Sequence, residues 1–326
     1  MLSWLLLHFL IAAVGTLLAR RYALQRDLLD HPGERRSHQV ATPRGGGVAI
    51  VAALLVAIVA LATRDPSQRW LLGGFGIGLV LVAAIGMADD HRPLPVSLRL
   101  AVHALAAAVL AISVQMASGN PWLAMLAFVS AMVLTNVWNF MDGINGLAAS
   151  QALLVAMALA WVLGGSWALL AGALAAACAG FLPFNFPRAR IFLGDGGSGG
   201  IGFSIAGLGT VAAMPDSPAA LWLLLPLSAF LVDAGLTLSM RTLQGERWWE
   251  AHTRHAYQVW ARSKGHTSVT LLYASWTATT VAVMIVLRTT PVSLAVALCV
   301  VTYLAASVVW WRLERMESHT KTTGDK

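Results

Sequence analysis

The chain has 326 residues, of which 58% are hydrophobic and 11% are charged, whereas an average soluble domain has roughly 25% charged residues. This composition excludes an ordinary soluble domain and points to a membrane protein. The net charge of +7 does not require a nucleic-acid partner, because the placement of the basic residues in the chain accounts for it.

The apolar residues are concentrated in runs long enough to cross a bilayer, which takes about 20 residues each. Hydropathy therefore predicts an all-α, polytopic integral membrane protein with about eleven transmembrane helices, ten being the alternative count. The predicted segments are 2–19, 46–63, 70–87, 98–117, 121–138, 147–163, 166–184, 199–214, 219–240, 269–287 and 291–311.

The basic residues support this division of the chain, since Lys and Arg accumulate in cytoplasmic loops. With a periplasmic N-terminus and a cytoplasmic C-terminus, every Lys and Arg except Arg64, Arg69 and Arg288 falls on the cytoplasmic side. The first apolar run has no basic residue before it, so we expect a retained signal-anchor helix and not a cleaved signal peptide. The sequence thus predicts a multi-pass membrane protein whose basic inner loops attract anionic membrane lipids.

No linker, low-complexity tract or repeat interrupts the pattern, so residues 1–326 are interpreted as a single transmembrane domain. The outer loops are short, and nearly all polar candidates lie in the inner ones. The functional site is therefore expected to face the cytoplasm. The predicted catalytic loops are about 20–45, 88–98, 139–147, 185–198 and 241–268.

Two adjacent carboxylates, Asp89 and Asp90, stand where the third predicted span ends. Neighbouring carboxylates repel each other unless a cation lies beside them, and Mg²⁺ in phosphate sites is bound by one or two carboxylates plus substrate oxygens. A solvated acidic pair that merely ends a helix is the alternative. Acids this close to apolar spans are costly, which favours a functional role.

Asn136, Asn139 and Asp142 recur at intervals of three, so on a continuing helix they share one face. Their amide and carboxylate groups could bind a nucleobase or a ribose. The alternative is an Asn-rich helix end followed by an ordinary turn, because Gly143 and Asn145 come directly after.

Asp195 lies in a glycine-rich stretch that runs into an apolar helix. Glycines let backbone amides approach a ligand, and the N-terminus of a helix favours bound phosphate. An aspartate among those amides is best explained if a metal accompanies the phosphate. The signal alone is weak, since the stretch lacks the lysine of a Walker motif.

Two further inner segments could contact phosphate. Residues 42–47, which include Thr42 and Arg44, form either a phosphate-facing loop or a flexible entry to the second span. His252 and His255 could bind a diphosphate or transfer protons, or be plain loop histidines.

Asp233, inside the ninth predicted span, is expected either to line the site or to form a buried structural hydrogen bond.

Taken in chain order, these segments resemble one family, the polyprenyl-phosphate N-acetylhexosamine-1-phosphate transferases. The likeness extends from Arg35 to about His255, and it is closest to the branch that starts O-antigen and common-antigen synthesis. The pattern that carries the likeness comprises Arg35-Arg36-Ser37-His38, Thr42-Pro43-Arg44, Asp89-Asp90-His91-Arg92-Pro93, Asn136 to Gly146, Leu193 to Gly200 and His255-Ala256-Tyr257-Gln258.

The resemblance implies transfer of an N-acetylhexosamine 1-phosphate from a UDP-sugar to undecaprenyl phosphate, with release of UMP. It implies Mg²⁺ as cofactor, with Mn²⁺ as an alternative, and leaves a homodimer open. By position, Asp89 and Asp90 match the catalytic pair, with Asp89 the base, and Asp195 matches the metal-holding acid together with Asp90. The expected substrate-binding residues are His38, Thr42, Arg44, Asn136, Asn139, Asp142, His252 and His255.

The chain departs from the family pattern in two segments. Some relatives carry a third aspartate where this chain has Pro93, and further histidines where it has Tyr257 and Gln258. A third carboxylate at that position is therefore not required here, and His252 could replace His255 as the matching histidine.

Two rival functions stay open at this level: a transporter or lipid flippase that uses the acids as an ion path, and a glycosyltransferase that releases UDP.

Overall fold

The computed structural model describes residues 1–31, 33, 40–214, 219–247, 250 and 252–324. These residues form helices joined by short connections, with one antiparallel pair of short strands, β1 (Leu29–Asp30) and β2 (Thr42–Pro43). The helices are α1 (Leu2–Gln25), α2 (Val48–Arg64), α3 (Arg69–His91), α4 (Val96–Ser118), α5 (Pro121–Phe140), α6 (Leu147–Val162), α7 (Gly165–Asn185), α8 (Asp195–Ala213), α9 (Ala219–Trp222), α10 (Leu224–Leu243), α11 (Ala256–Lys264), α12 (His266–Leu287) and α13 (Val292–Gly324).

Within the described residues, 8 helices are long and apolar enough to cross a membrane. They are α1, α3, α4, α5, α7, α10, α12 and α13, while α2 and α6 are shorter apolar helices. The chain is therefore an all-α polytopic membrane protein, as hydropathy predicted. The number of eleven spans, the side on which each terminus lies and the single-domain organisation stay predictions.

Helix α8 lies at the centre of the bundle, in contact with α2, α3, α5 and α6. All of its residues except Asp195, Gly209 and Ala213 are buried, so its glycines and serines meet protein and not lipid. A Cβ added at Gly202 would lie 2.2 Å from the carbonyl oxygen of Leu134 on α5. The two backbones can approach this closely because glycine has no side chain.

The helices end where the sequence supplies ordinary helix-ending signals. Between α4 and α5, Gly119 adopts a φ of 66°, and the side chain of Asn120 accepts a hydrogen bond of 2.9 Å from the backbone N–H of Trp122. Pro121 then occupies the first turn of α5, where its missing N–H costs nothing. These signals determine where α4 ends and where α5 begins.

The two ends of the bundle differ in character. At one end, Asp65 accepts a hydrogen bond of 2.9 Å from Ser166, and Trp167 donates to Gln68 over 3.0 Å, so the connections are tied together. At the other end, the C-termini of α3 and α5 meet the N-termini of α4 and α8 around a cavity. Most of the described polar residues singled out in the sequence line that cavity.

Candidate active site

The cavity has a volume of about 650 Å³ and is open to solvent on one side. It is surrounded by the ends of helices. Backbone groups and charged side chains at these ends can contact a ligand outside the apolar spans. Its polar lining consists of Asp30, Arg44, Asp89, Asp90, Arg99, His103, Asn136, Asn139, Asp142, Asn185, Asp195, Glu250, His252, His255, Tyr257 and Gln258.

Three carboxylates from two distant parts of the chain, Asp89 and Asp90 on one side and Asp195 on the other, are joined through one arginine and one helix start. Nη1 of Arg99, on α4, lies 2.8 Å from Oδ2 of Asp89 and 3.1 Å from Oδ2 of Asp195. Oδ1 of Asp90 accepts a hydrogen bond of 3.2 Å from the backbone N–H of Asp195. Asp89, Asp90 and Asp195 therefore form one group, which we call the carboxylate centre.

The carboxylate centre depends on close contact between α3 and the start of α8. A Cβ added at Gly86 would lie 2.4 Å from the nitrogen of Gly196 and 2.5 Å from the carbonyl carbon of Asp195. Gly194, which precedes α8, has a φ of 79°, a conformation that favours glycine. Glycine at both positions lets the chain bring Asp195 beside the last turn of α3.

Asp90 also caps the helix that carries Asp195. Its two carboxylate oxygens face the backbone N–H groups of Asp195 and Gly196, at 3.2 Å and 3.5 Å. These N–H groups have no partner within α8, and a negative charge at a helix N-terminus is favourable. Arg44 donates a hydrogen bond to the backbone carbonyl of Asp90, which brings the first inner segment to the same place.

The amide residues of α5 face the cavity beside the carboxylate centre. Nδ2 of Asn139 donates to the hydroxyl of Ser198 over 3.2 Å, and Asn136 donates to the carbonyl of Met132 over 2.7 Å. Asp142 follows in the turn after α5. Removal from bulk water, followed by the negative charges of Asp195 and Asp90, raises the pKa of Asp142 well above its usual range.

The histidines approach the cavity from the loop between α10 and α11, and their ring centroids are 4.7 Å apart. Burial, followed by His255 and Arg241, lowers the pKa of His252 to about 4, so this ring is neutral at pH 7. The loop itself is held by the buried side chain of Arg241, whose Nε lies 2.8 Å from Glu246 and whose Nη1 donates to the carbonyl of Glu250 over 3.3 Å.

This arrangement falls largely within a stretch of chain that known proteins share. Residues 72–213 match glycosyl transferase family 4. The resemblance that the sequence indicated is thereby confirmed, and the matched segment carries Asp89, Asp90, Asn136, Asn139, Asp142 and Asp195.

Three relatives of family 4 type illustrate the likeness. The decaprenyl-phosphate N-acetylglucosaminephosphotransferase of Mycobacterium leprae is 33% identical over 241 residues, which is 64% of this chain and 59% of that protein. The phospho-N-acetylmuramoyl-pentapeptide-transferase of Moorella thermoacetica is 36% identical over 203 residues, 52% of this chain and 62% of its own. The undecaprenyl-phosphate alpha-N-acetylglucosaminyl 1-phosphate transferase of Thermotoga maritima is 32% identical over 183 residues, 54% of each. The chain covers less than two thirds of each relative.

Most site residues predicted from the sequence line the cavity, but not all. Thr42 does not, because the β1–β2 pairing buries it and its hydroxyl donates to the carbonyl of Val40 over 2.9 Å. His38 lies outside the residues that the structure describes. Asp233 is also absent from the cavity wall and is instead the buried hydrogen-bonding residue that the alternative interpretation expected.

The sequence interpretation missed several residues of the candidate site. Arg99 and His103, one helical turn apart on α4, both line the cavity, and Arg99 contacts two of the three acids. A basic residue and a histidine on one face of an apolar helix were the available signal. Tyr257 and Gln258 also line the cavity and add polar groups to it.

The carboxylate centre fits a divalent cation that also binds phosphate. Among the described residues, no three His, Cys, Asp or Glu side chains form a ready-made metal site. Mg²⁺, however, is commonly held by one or two carboxylates plus phosphate oxygens. Oxygens that accept an N–H, as in Asp90, keep a second lone pair for a metal. Among the described lining residues the acids outnumber the arginines, so an added positive charge is favourable.

Proposed function

We propose that this protein transfers an N-acetylhexosamine 1-phosphate from a UDP-sugar to undecaprenyl phosphate, releasing UMP and forming undecaprenyl-diphospho-sugar. The observation that carries the proposal is the carboxylate centre, in which Asp89, Asp90 and Asp195 meet at the ends of membrane helices within the segment that matches family 4. The relatives are named for transfer of such groups to polyprenyl phosphates, which supports the choice of acceptor. The product would start an O-antigen or another cell-envelope polysaccharide.

The reaction brings two phosphate anions together, so positioning and charge neutralisation are the main requirements. Asp89 acts as the base that takes the proton from the lipid phosphate. It is held for this role at both oxygens, by the backbone N–H of Leu94 over 2.6 Å and by Arg99 over 2.8 Å. The lipid phosphate oxygen then attacks the sugar-linked phosphorus, the bond to the UMP oxygen breaks, and a new diphosphate replaces the old one without ATP.

Asp90 and Asp195 are the residues that would hold Mg²⁺, or Mn²⁺ in its place. When bound there, the ion would neutralise charge on the phosphate oxygens. Arg44 and Arg99 add positive charge on either side of the same group. Asn136, Asn139 and Asp142 offer the donors and acceptors for the nucleoside, and His252 and His255, which line the same cavity, would contact the diphosphate.

The membrane placement is part of the same proposal. We assign the cavity to the cytoplasmic face of the bacterial inner membrane, where soluble UDP-sugars are made and where the inner loops carry nearly all Lys and Arg. The cavity at helix ends lets a lipid phosphate enter from the inner leaflet while its chain stays among the helices. A homodimer is compatible with this arrangement and is not required by it.

The test is lipid-dependent release of UMP. Purified protein is incubated with undecaprenyl phosphate, Mg²⁺ and a panel of UDP-N-acetyl sugars, and the nucleotide product is identified by chromatography. We expect UMP with at least one sugar, only when the lipid is present. UDP as product would instead identify a glycosyltransferase that moves the sugar alone, and no nucleotide release with any sugar would rule out the transferase proposal.

A further inference from the structure

A second buried carboxylate, Asp233, lies outside the cavity on α10 and is 2% exposed. It accepts hydrogen bonds from the backbone N–H of Ala256 over 2.9 Å and from that of Tyr257 over 3.0 Å. Tyr273 and Thr237 donate to it as well, over 2.7 Å and 3.3 Å. A charged group inside an apolar span is costly, so four donors around one carboxylate indicate a defined task.

The first task of Asp233 is to hold the start of α11. Ala256 and Tyr257 are the first residues of that helix, and their N–H groups have no partner within it. A carboxylate supplied by α10 caps them from outside, at the end of the helix where negative charge is favourable. The position of α11 relative to α10 is therefore set by the two oxygens of Asp233.

Asp233 also faces the histidine that precedes α11. Nδ1 of His255 lies 3.5 Å from Oδ1 of Asp233, and both side chains are almost fully buried, 4% and 3% exposed. The ring of His255 lines the cavity, so with Nδ1 toward Asp233 the other ring nitrogen, Nε2, is the one available to a ligand. Asp233 therefore lies beside a histidine that lines the cavity.

The same helix start continues to the nucleoside side of the cavity. The hydroxyl of Tyr257, whose backbone N–H binds Asp233, donates to the carbonyl of Phe140 over 2.9 Å. A Cβ added at Gly143 would lie 2.1 Å from that hydroxyl, so Tyr257 rests directly on the turn that contains Asp142. One buried carboxylate is therefore connected to both His255 and the turn after α5.

We propose that Asp233 is a positioning residue that sets His255 and the 140–143 turn at a fixed separation, so that one donor molecule can contact both. The inference rests on the proposed function, in which His255 faces the diphosphate and Asp142 the nucleoside. Asp233 touches no substrate itself. It acts through the start of α11.

The first measurement is a comparison of Asp233→Asn with His255→Gln in the UMP assay. Asn keeps the size of Asp but points an NH₂ group at donors that need an acceptor, so we expect the KM for the UDP-sugar to rise about tenfold with a smaller change in kcat. His255→Gln should raise the KM by a similar factor. The double variant should be about as impaired as either single variant, because both changes remove the same interaction.

The matched control is Ser228→Ala, also on α10. Ser228 is fully buried and accepts a hydrogen bond of 3.0 Å from Trp276 on α12, so its loss loosens the bundle without touching α11. We expect its KM to equal that of the wild type. An effect of Asp233→Asn on stability alone would give equal KM values for Asp233→Asn and wild type, which would overturn the inference. Fully multiplicative effects in the double variant would overturn it as well.

Hydrogen exchange provides a readout that needs no substrate. The amides of Ala256 and Tyr257 should exchange at least about tenfold faster in Asp233→Asn than in wild type or in Ser228→Ala. Unchanged exchange would overturn the positioning role even if wild type releases UMP. Faster exchange together with a wild type that releases no UMP would overturn the proposed function and still support the hold of Asp233 on α11.

Discussion

In two regions at the cavity, a carboxylate on one helix caps the start of another helix, but the contacts that support the capped helix differ. In one region, Asp90 of α3 caps α8, and in the other, Asp233 of α10 caps α11. The start of α8 is also packed backbone against backbone on α3 at Gly86, whereas the start of α11 is connected to α10 through the side chain of Asp233. The part of the cavity lined by His252, His255, Tyr257 and Gln258 is called the histidine wall. The carboxylate centre is thus fixed by packing, and the histidine wall by hydrogen bonds.

This difference separates two roles that a capping carboxylate can have. Because packing already holds α8, the charge of Asp90 is free to serve chemistry in the cavity. The charge of Asp233, enclosed by four donors, serves structure. Substitution of the first should therefore change catalysis without moving a helix, and substitution of the second should move a helix start.

The largest effect is expected from neutralising the carboxylate centre. Asp89→Asn, Asp90→Asn and Asp195→Asn should each lower kcat by about 10³-fold, because in the proposed reaction each removes a charge that positions or deprotonates the reacting phosphates. The measurement is UMP release at saturating substrate. Asp65→Asn is the control, since Asp65 lies at the opposite end of the bundle and bonds to Ser67 and Ser166. Near-wild-type kcat in all three variants would contradict the site.

The next effect concerns packing at Gly86. Gly86→Ala inserts a methyl group 2.4 Å from the backbone of Gly196, so α3 and α8 must separate, and we expect kcat to fall about 100-fold with a loss of thermal stability. Gly73→Ala on the same helix is the matched control, because a Cβ there meets nothing within 4 Å. Equal activity of the two variants would show that the carboxylate centre does not depend on this contact.

Gly86 also shows where prediction from sequence reached its limit. Hydropathy was enough to place the helices, and because Asp89, Asp90 and Asp195 stand at predicted helix ends, a common end of the bundle could be predicted for them. The rotation of each helix about its axis could not. That rotation decides that Arg99 bridges two acids, that Gly86 meets α8, and that Asp233 faces α11 and not the cavity. It depends on side-chain packing between distant segments, which hydropathy does not record.

A smaller effect should follow from a change in the turn after α5, at the point where it contacts Tyr257. Gly143→Ala places a methyl group 2.1 Å from the Tyr257 hydroxyl, and we expect about a tenfold loss of kcat/KM. Tyr257→Phe removes that hydroxyl and its hydrogen bond to Phe140, at a cost of about fivefold. The double variant should be more active than Gly143→Ala alone, because the clashing atom is gone. A double variant at or below the level of Gly143→Ala would contradict this contact.

The smallest effect concerns the response of the histidine wall to acid. The pKa of His252 is lowered to about 4, so between pH 6.5 and 4 the unfolded chain binds a proton that the folded chain does not. Folding stability should therefore fall as the pH drops through this window, and His252→Gln should reduce that fall. Because the side chain is partly exposed, we expect this difference to be small. Between pH 7.5 and pH 5, the thermal midpoint of His252→Gln should fall by about 1–2 °C less than that of the wild type. His31→Gln, which removes an exposed histidine, is the matched control. If His252→Gln and wild type lose the same stability on acidification, burial does not keep this ring neutral.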